Sequence, residues 1–589
     1  MGDTPELVVR KNQFPKWETP IVAQLLHKLD KKGVIIPSPR EVGEIISPIF
    51  LRENSDGSHR LILNLKKANE FISNAHFKME TITSILKLIY PNCYMASIDL
   101  KDAYFTVKVK ESHQKFLKFQ FEQQLYKFTC LPNGLCTGSR KFTKLCKPPL
   151  ACLRALGHII SSYIDDLINV GDSFLECQQN VCDTITLFLE LGFNIHHKKS
   201  KLVPTQVLTF LGFIINSKTM KISPTRVNKE KVKTLATELL QRGSFTIRFL
   251  ARVIGTLIST FPGVKHGPLH FRHLEDLKSK SLQYYKGNFE KFTTLTKGAK
   301  LEIEWWLENI DGTDNDIYVP NPDMALYTDA SMTGWGGVLG QHNTNGYWLE
   351  KEQHLHINVL ELRAIKFSLL AFPIPEIIHL KVLSDNTTAV QCLNNKGTSH
   401  SASCNSETQQ IWDIAIRKEL HISATHIPGR LNEEADLQSR KQELRTEWKL
   451  AEDAFVYILQ HFHRAPEIDL FASRINYQIK PFLSYRPDPE AMTINAFLVS
   501  WTNTIFYAFP PFSIISKTLQ KAFMDKAEGI IVVPHWKNQP WFSRLTKLLV
   551  REPLILSSSH QLLYLPNQLN KKHPLQSLEL MACHISGKT

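Results

Sequence analysis

Several common features are missing from this 589-residue sequence, and each absence removes a class of protein. No apolar run approaches the ~18–20 residues needed to span a bilayer, which argues against membrane-spanning helices. The first residues are charged and polar (Asp3, Glu6, Arg10, Lys11), without the apolar stretch of a secretory signal. Ten cysteines are scattered with no CxxC pair. Cys177 and Cys182 are the closest spacing of interest, and no Cys or His pair completes a zinc set. There is no internal repeat and no low-complexity linker. A soluble intracellular protein with reduced thiols is expected, in the cytoplasm and/or nucleus, with no membrane partner.

What is present is an ordinary folded composition, 43% hydrophobic and 21% charged. A chain this long exceeds one hydrophobic core and predicts roughly three or four domains. The net charge of +14 suits a protein that grips a polyanion, and suits equally a basic but uninvolved surface.

Pattern changes supply the boundaries. Apolar residues at helical spacing from Ile21, stopped by Gly33, predict a helix. Strand-like runs follow at Ser47–Leu51 and, after the Asp56-Gly57 turn, Arg60–Leu65. Met95–Lys110 reads as strand, break, strand; Asp172–Leu191 as a helix; Val207–Ile215 as one strand. Ser223–Asn309 is largely helical and basic. A Pro-flanked seam (Pro320, Pro322) opens an α/β unit that ends near Arg440, and a last α/β segment contains the strand Gly529–Val533.

The strongest chemical signal is Tyr163-Ile164-Asp165-Asp166-Leu167, an acidic pair between apolar flanks. Adjacent carboxylates resist joint ionisation unless a cation is near, so the pair suits a metal site, although a solvated hairpin tip also accommodates it. A second acidic strand, Ser97-Ile98-Asp99-Leu100-Lys101-Asp102-Ala103-Tyr104-Phe105, shifts the balance. One carboxylate there and two on a neighbouring hairpin would suit two Mg²⁺ (or Mn²⁺) ions about 4 Å apart, the arrangement for nucleotidyl transfer.

In this order the motifs resemble the palm of reverse transcriptases, from about Gly33 to Phe213. The resemblance implies that Asp99, Asp165 and Asp166 are metal-binding catalytic residues. It makes Tyr104 the gate against a ribose 2′-OH, with packing beside Phe105 as the other reading. Leu131-Pro132-Asn133-Gly134-Leu135 is similar to the loop under the incoming nucleotide, with Asn133 where many relatives carry Gln. Arg60 matches the fingers arginine that pairs with triphosphate oxygens. Asn54-Ser55 stand where relatives have two lysines, and Arg52 or Lys66 is a substitute clamp. Lys199, in His197-Lys198-Lys199-Ser200, matches a later motif, as does Phe210-Leu211-Gly212-Phe213. That lysine suits leaving-group protonation or a solvated turn.

A second acidic set has different spacing. Asp329 closes a strand before Gly334-Trp335-Gly336-Gly337, Glu361 lies on a predicted helix His356–Leu369, Asp385 follows the strand Leu380–Ser384, and Asp436 sits in Asn432-Glu433-Glu434-Ala435-Asp436. These four resemble the ribonuclease H fold, which implies two more divalent ions and cleavage of RNA in a hybrid. His426, in His426-Ile427-Pro428-Gly429, matches that family's loop histidine, implied in product release or proton transfer. The implied partners are an RNA template, a DNA primer, an RNA–DNA hybrid and dNTPs.

Beyond Arg440, Asp469-Leu470-Phe471-Ala472-Ser473, Phe509-Pro510-Pro511-Phe512 and Pro534-His535-Trp536 resemble the trailing domain of DIRS-like retrotransposons, related to adenine methyltransferases. Phe509 stands where such enzymes hold the target amine with Asp or Asn, and no Gly-rich loop for S-adenosylmethionine is evident, so an inactive domain is expected. The expected architecture is multidomain, α+β and α/β: a right-hand polymerase with fingers and palm (1–220) and thumb or connection (221–320), a ribonuclease H-like domain (321–442) and a methyltransferase-like segment (443–589). The rival expectations are a catalytically inactive nucleic-acid-binding relic and a methyltransferase with a vestigial polymerase half.

Overall fold

The computed structural model describes residues 14–15, 17–53, 57, 59–73, 77–318, 320–440, 448–556, 562–566, 573–575 and 578–588. Asn54, Ser55, Asp56 and Ser58, the expected clamp and turn positions, lie outside the described residues. The chain forms two compact units, 1–243 with 251–267 and 303–318, and 244–250 with 268–302 and 319–589. The helical segment 221–320 therefore contributes to both.

The first unit is organised by an antiparallel sheet in the order Lys201–Thr205, Tyr94–Lys101, Asp166–Gly171, Ile159–Tyr163. Alternation along a strand sends neighbouring side chains to opposite faces, and here both faces are covered. Ile98 and Leu100 share a core with Phe142, Cys146 and Leu150 of the helix Gly138–Ala155 and with Cys177, Val181 and Phe188 of the helix Phe174–Glu190. Met95, Ile168 and Val170 face the other way, under Phe210, Phe213 and Ile215. Burial on both faces explains the near-continuous apolar runs that flank the acids.

Two expectations are corrected in this unit. Val207–Ile215 is not one strand but a hairpin, Val207–Phe210 against Phe213–Asn216, turning at Leu211 (φ 47°) and Gly212 (φ 81°). A two-residue turn with positive φ at both positions matches strand twist, yet Leu-Gly carries none of the usual Asn-Gly signal. Asn228 supports it, donating from Nδ2 to the Gly212 carbonyl at 2.9 Å. The second strand expected within Met95–Lys110 is a short 3₁₀ turn, Ala103–Thr106, entered through Asp102 at φ 54°. Only an isolated bridge, Lys108 to Cys130, remains of the pairing.

The second unit holds two five-stranded sheets. The first runs His342–Tyr347, Gly334–Leu339, Met324–Ala330, His379–Ser384, His421–His426, antiparallel for the first three strands and parallel thereafter. Its glycines let helices lie directly on the strands. A Cβ on Gly336 would meet the Ala435 carbonyl oxygen at 2.5 Å, on the helix Glu433–Arg440. A Cβ on Gly337 would collide with Ser368 of the helix Ile357–Ala371 on the opposite face. The second sheet runs Ile468–Asp469, Ile505–Ala508, Glu528–Pro534, Leu580–Ser586, Leu554–Leu556, the first three parallel and each later pairing antiparallel. No helix among the described residues is long and apolar enough to cross a membrane.

Candidate active sites

In the first unit the antiparallel register places Asp99 directly opposite Asp166. Opposed residues in such a pair hold Cβ atoms roughly 4.5–5.5 Å apart, on one face. Asp165 joins them at the hairpin tip between Ile159–Tyr163 and Asp166–Gly171, where its carbonyl accepts the Leu100 N–H at 2.9 Å. The tip bends through Ile164 at φ 57°, a left-handed conformation that a β-branched residue adopts only under strain. From the other side, Ser200 Oγ accepts the Asp99 N–H at 3.0 Å, and the Asp99 carbonyl accepts the His196 N–H at 2.8 Å. The turn from His196 to Ser200 thereby brings Lys199 within electrostatic reach of all three acids.

Burial raises all three carboxyls above their ordinary range. For Asp166 burial, then the charges of Asp165 and Asp99, push it up to about 7, with Lys199 opposing. Half-buried carboxylates that repel one another are a donor set of the kind a divalent ion satisfies.

In the second unit Asp329 and Glu361 are buried, and with Asp385 they offer ligand atoms all within 4.8 Å of one another. Among the described residues these three make the tight acidic group; Asp99, Asp165 and Asp166 are spread more widely. Glu361 is pushed up to about 9 by burial and by the charges of Asp329 and Asp385, and its Oε2 is buried without a hydrogen-bond partner. An unsatisfied buried carboxyl oxygen beside two further acids fits a divalent cation. Ser439 Oγ donates to Asp329 Oδ2 at 2.6 Å and orients it. Asp436 is near enough to raise Asp329 electrostatically but turns its Oδ1 to Arg440 at 2.6 Å. His426 is exposed, opposite Ser384 in the parallel pair.

Residues 52–215 match the family model described as reverse transcriptase (RNA-dependent DNA polymerase). They form a reverse transcriptase domain. The chain has homologues among retroviral and transposon polyproteins. It is 24% identical over 360 residues to an enzymatic polyprotein of figwort mosaic virus, covering 58% of this chain and 50% of that one. It is 24% identical over 367 residues to the Pol polyprotein of the transposon gypsy of Drosophila melanogaster, covering 59% of this chain and 33% of that one. It is 21% identical over 235 residues to the Gag-Pol polyprotein of koala retrovirus, 38% of this chain and 14% of that one. The chain thus spans half or less of these relatives. Among solved structures, the foamy viral protease-reverse transcriptase in complex with an RNA/DNA hybrid aligns at TM-score 0.47 and 18% identity, over 74% of this chain and 56% of that one.

Within the reverse transcriptase domain, Tyr104 lies near Asp165, which adds to the upward shift that burial gives its phenol. Its hydroxyl is 3.0 Å from that of Ser139, and its ring packs edge-on against Phe142 at 5.6 Å. A Cβ on Gly138 would sit 3.7 Å from that ring, in ordinary contact with it. Arg60, on the strand His59–Leu63, lowers Asp165 electrostatically. Gly134 has φ +102°, which strains any side chain, and a Cβ on it would stand 3.0 Å from the Leu63 carbonyl oxygen, a tight approach. Asn133 is partly exposed beside it.

Sequence reasoning missed Asn69. Its amide donates to the Gly134 carbonyl and accepts the Cys136 N–H, each at 3.0 Å, fixing the loop that carries Asn133 and Gly134. No local spacing signals a contact made across 65 residues. Trp306 is fully buried and stacks on Phe261, so it is a core residue.

In the last sheet the Asp469 carboxyl is buried, pushed up to about 7 by that burial, and accepts backbone N–H groups of Gln478 (3.0 Å) and Phe471 (3.4 Å). It organises its own loop. Phe509 packs into the apolar cluster with Phe512 and Trp536.

Proposed function

We propose that the chain is the polymerase–nuclease of a DIRS-like retrotransposon, copying RNA into DNA and cutting the RNA strand of the hybrid. The carrying observation is the convergence of Asp99, Asp165 and Asp166 inside the segment that matches the reverse transcriptase model.

Two Mg²⁺ or Mn²⁺ ions held there would activate the primer 3′-OH and neutralise charge on the leaving pyrophosphate. Arg60 pairs with the triphosphate, and Lys199 supplies a positive charge, or a proton, beside it. The Tyr104 ring, held by Ser139 and Phe142, closes the pocket to a 2′-OH. Gly134 lets the backbone approach the nucleotide while Asn133 hydrogen-bonds nearby. Asn54-Ser55 replace lysines of the clamp, so Arg52 or Lys66 takes their place.

In the nuclease centre Asp329, Glu361, Asp385 and Asp436 would hold a metal pair, and His426 would assist proton transfer or product release. A cavity of about 670 Å³ next to the Glu361 helix, lined by Arg272, His356, Asn358, Thr388, Gln391 and His400, offers donors to the hybrid backbone. The net charge of +14 supports template, primer and hybrid as partners. We assign the palm and fingers to 1–220, thumb and connection to 221–320, nuclease to 321–442, and an inactive methyltransferase-like domain to 443–589, since Phe509 has no polar atom for a target amine. The work is placed inside the cell, in cytoplasm and/or nucleus.

RNA-templated extension of a DNA primer by the purified chain, with Mg²⁺ and with chelator, tests this reading. Metal-dependent synthesis is expected; nucleic-acid binding without synthesis would favour the inactive relic.

A further inference from the structure

The domain after Arg440 has no chemistry in the reading above, yet one of its side chains is built into the nuclease. Arg474 follows the strand Ile468–Asp469 and is 7% exposed. Its Nη2 donates to Glu352 Oε1 at 2.7 Å, its Nη1 to the Tyr347 carbonyl at 3.4 Å, and its guanidinium lies 4.4 Å from the centre of the Phe367 ring. Its Nε donates to Glu490 at 2.8 Å, and its backbone N–H to Asp488 at 2.8 Å, both within its own domain. The guanidinium therefore joins the two domains at a buried point.

The nuclease side of that joint leads to the metal centre. The same Glu352 Oε1 accepts Arg363 Nη1 at 2.9 Å. Arg363 lies two residues after Glu361 on the helix Ile357–Ala371 and also pairs with Glu407, as does Lys366 at 2.6 Å. Phe367, the ring under Arg474, packs against Trp335 at 5.5 Å, and Trp335 is the strand partner of Ala330, next to Asp329. Two further contacts fasten the edge strand His342–Tyr347: Thr344 Oγ1 donates to the Pro487 carbonyl at 2.5 Å, and Arg486 to Asn345 at 3.3 Å.

We infer that the C-terminal domain serves the nuclease, with Arg474 as the positioning residue that fixes the Glu361 helix through Glu352, Arg363 and Phe367; this rests on the nuclease reading above. A guanidinium with three donor directions and a stacking face suits the position, and an ammonium does not reproduce it. Removing it leaves Arg363 as the remaining cation on the buried Glu352 and uncovers the Phe367 ring, so the helix that carries Glu361 loses two of its supports. Groups that hydrogen-bond a metal ligand directly shift metal affinity by roughly 10–100-fold, and Arg474, one contact further out, belongs at the lower end of that range.

The test uses the full chain and Mn²⁺. Free Mn²⁺ is followed by its electron paramagnetic resonance signal, and half-maximal Mn²⁺ is measured for hybrid cleavage and for primer extension on the same preparation. For Arg474→Gln the cleavage requirement should rise about tenfold or more with weaker Mn²⁺ binding, while the extension requirement stays put; Arg474→Lys should recover part of the loss. A lowered unfolding temperature with an unchanged cleavage requirement would mean a merely structural joint and overturn the inference. If Arg474→Gln does not fold, Glu490→Gln, which releases Arg474 from its own domain, should raise the requirement by a smaller factor, and no change would equally overturn it. Asp385→Asn separates the two levels: if it leaves the parent's Mn²⁺ isotherm unaltered, the nuclease reading itself falls.

Discussion

Asp99 and Asp166 stand directly opposite one another across two antiparallel strands, with Asp165 at the adjoining hairpin tip. Their placement follows from pleat geometry: Asp99 shares a face with Met95, and Asp166 with Ile168 and Val170, so both emerge where the apolar cover of that face ends. The strain at Ile164 and the mutual repulsion of the acids are both held in place by the surrounding core.

Metal and proton should compete at this pair. Asp166 rises from 3.8 to about 7 in the fold. Between those values the folded chain binds more protons than the unfolded one, so this group's contribution to stability is full below about pH 4 and lost as pH rises through 7. A divalent ion bound there would displace the proton and reverse the trend. Half-maximal Mg²⁺ for primer extension should therefore climb up to about tenfold per pH unit as pH falls below 7, and level off toward pH 8. A requirement independent of pH from 6 to 8 would speak against a proton displaced from Asp166.

Tyr104→Ala should open the space beside the 2′ carbon. Single-turnover incorporation ought to show the rNTP:dNTP ratio rising on the order of 10–100-fold, with dNTP incorporation reduced less. An unchanged ratio would leave Tyr104 as a packing residue against Phe142.

Asn69→Ala removes both side-chain hydrogen bonds to the Gly134 loop. The Gly134 bond is exposed and the Cys136 bond part-buried, so losing each costs about 0.5–1.5 kcal/mol, and KM for dNTP should rise roughly 3–10-fold while hybrid cleavage is unaffected. Asn69→Asp keeps the acceptor for Cys136 but loses the donor to Gly134, and should fall in between. Parental steady-state kinetics for both variants would remove Asn69 from the site.

Much of the first centre is legible in the sequence because its signals are local. Apolar runs on both sides of Asp99 and of Asp165-Asp166 mark buried strands with acids at their ends. The Gly334-Trp335-Gly336-Gly337 run reads in the sequence only as the start of a strand; that helices lie against it, so that a Cβ at Gly336 or Gly337 would clash, is a matter of packing. The Leu211-Gly212 turn is hidden because Val207–Ile215 is a near-continuous apolar run with no Asn-Gly or Asp-Gly to break it. Asn69 and Arg474 left no trace, since each acts across a long stretch of chain, 122 residues in the pairing of Arg474 with Glu352. Pairings of that kind belong to tertiary packing, which neither periodicity nor turn chemistry encodes.

The central claim is that one chain holds two separate divalent-metal centres, and the most direct measurement assays both activities on two variants. Asp165→Asn should abolish RNA-templated primer extension while still cutting the RNA strand of a labelled hybrid. Asp385→Asn should do the reverse, because the acids of each centre belong to different compact units. Extension by Asp165→Asn at the parental rate, or cleavage by Asp385→Asn at the parental rate with Mg²⁺ still required, would contradict the account, as would joint loss of both activities in either variant.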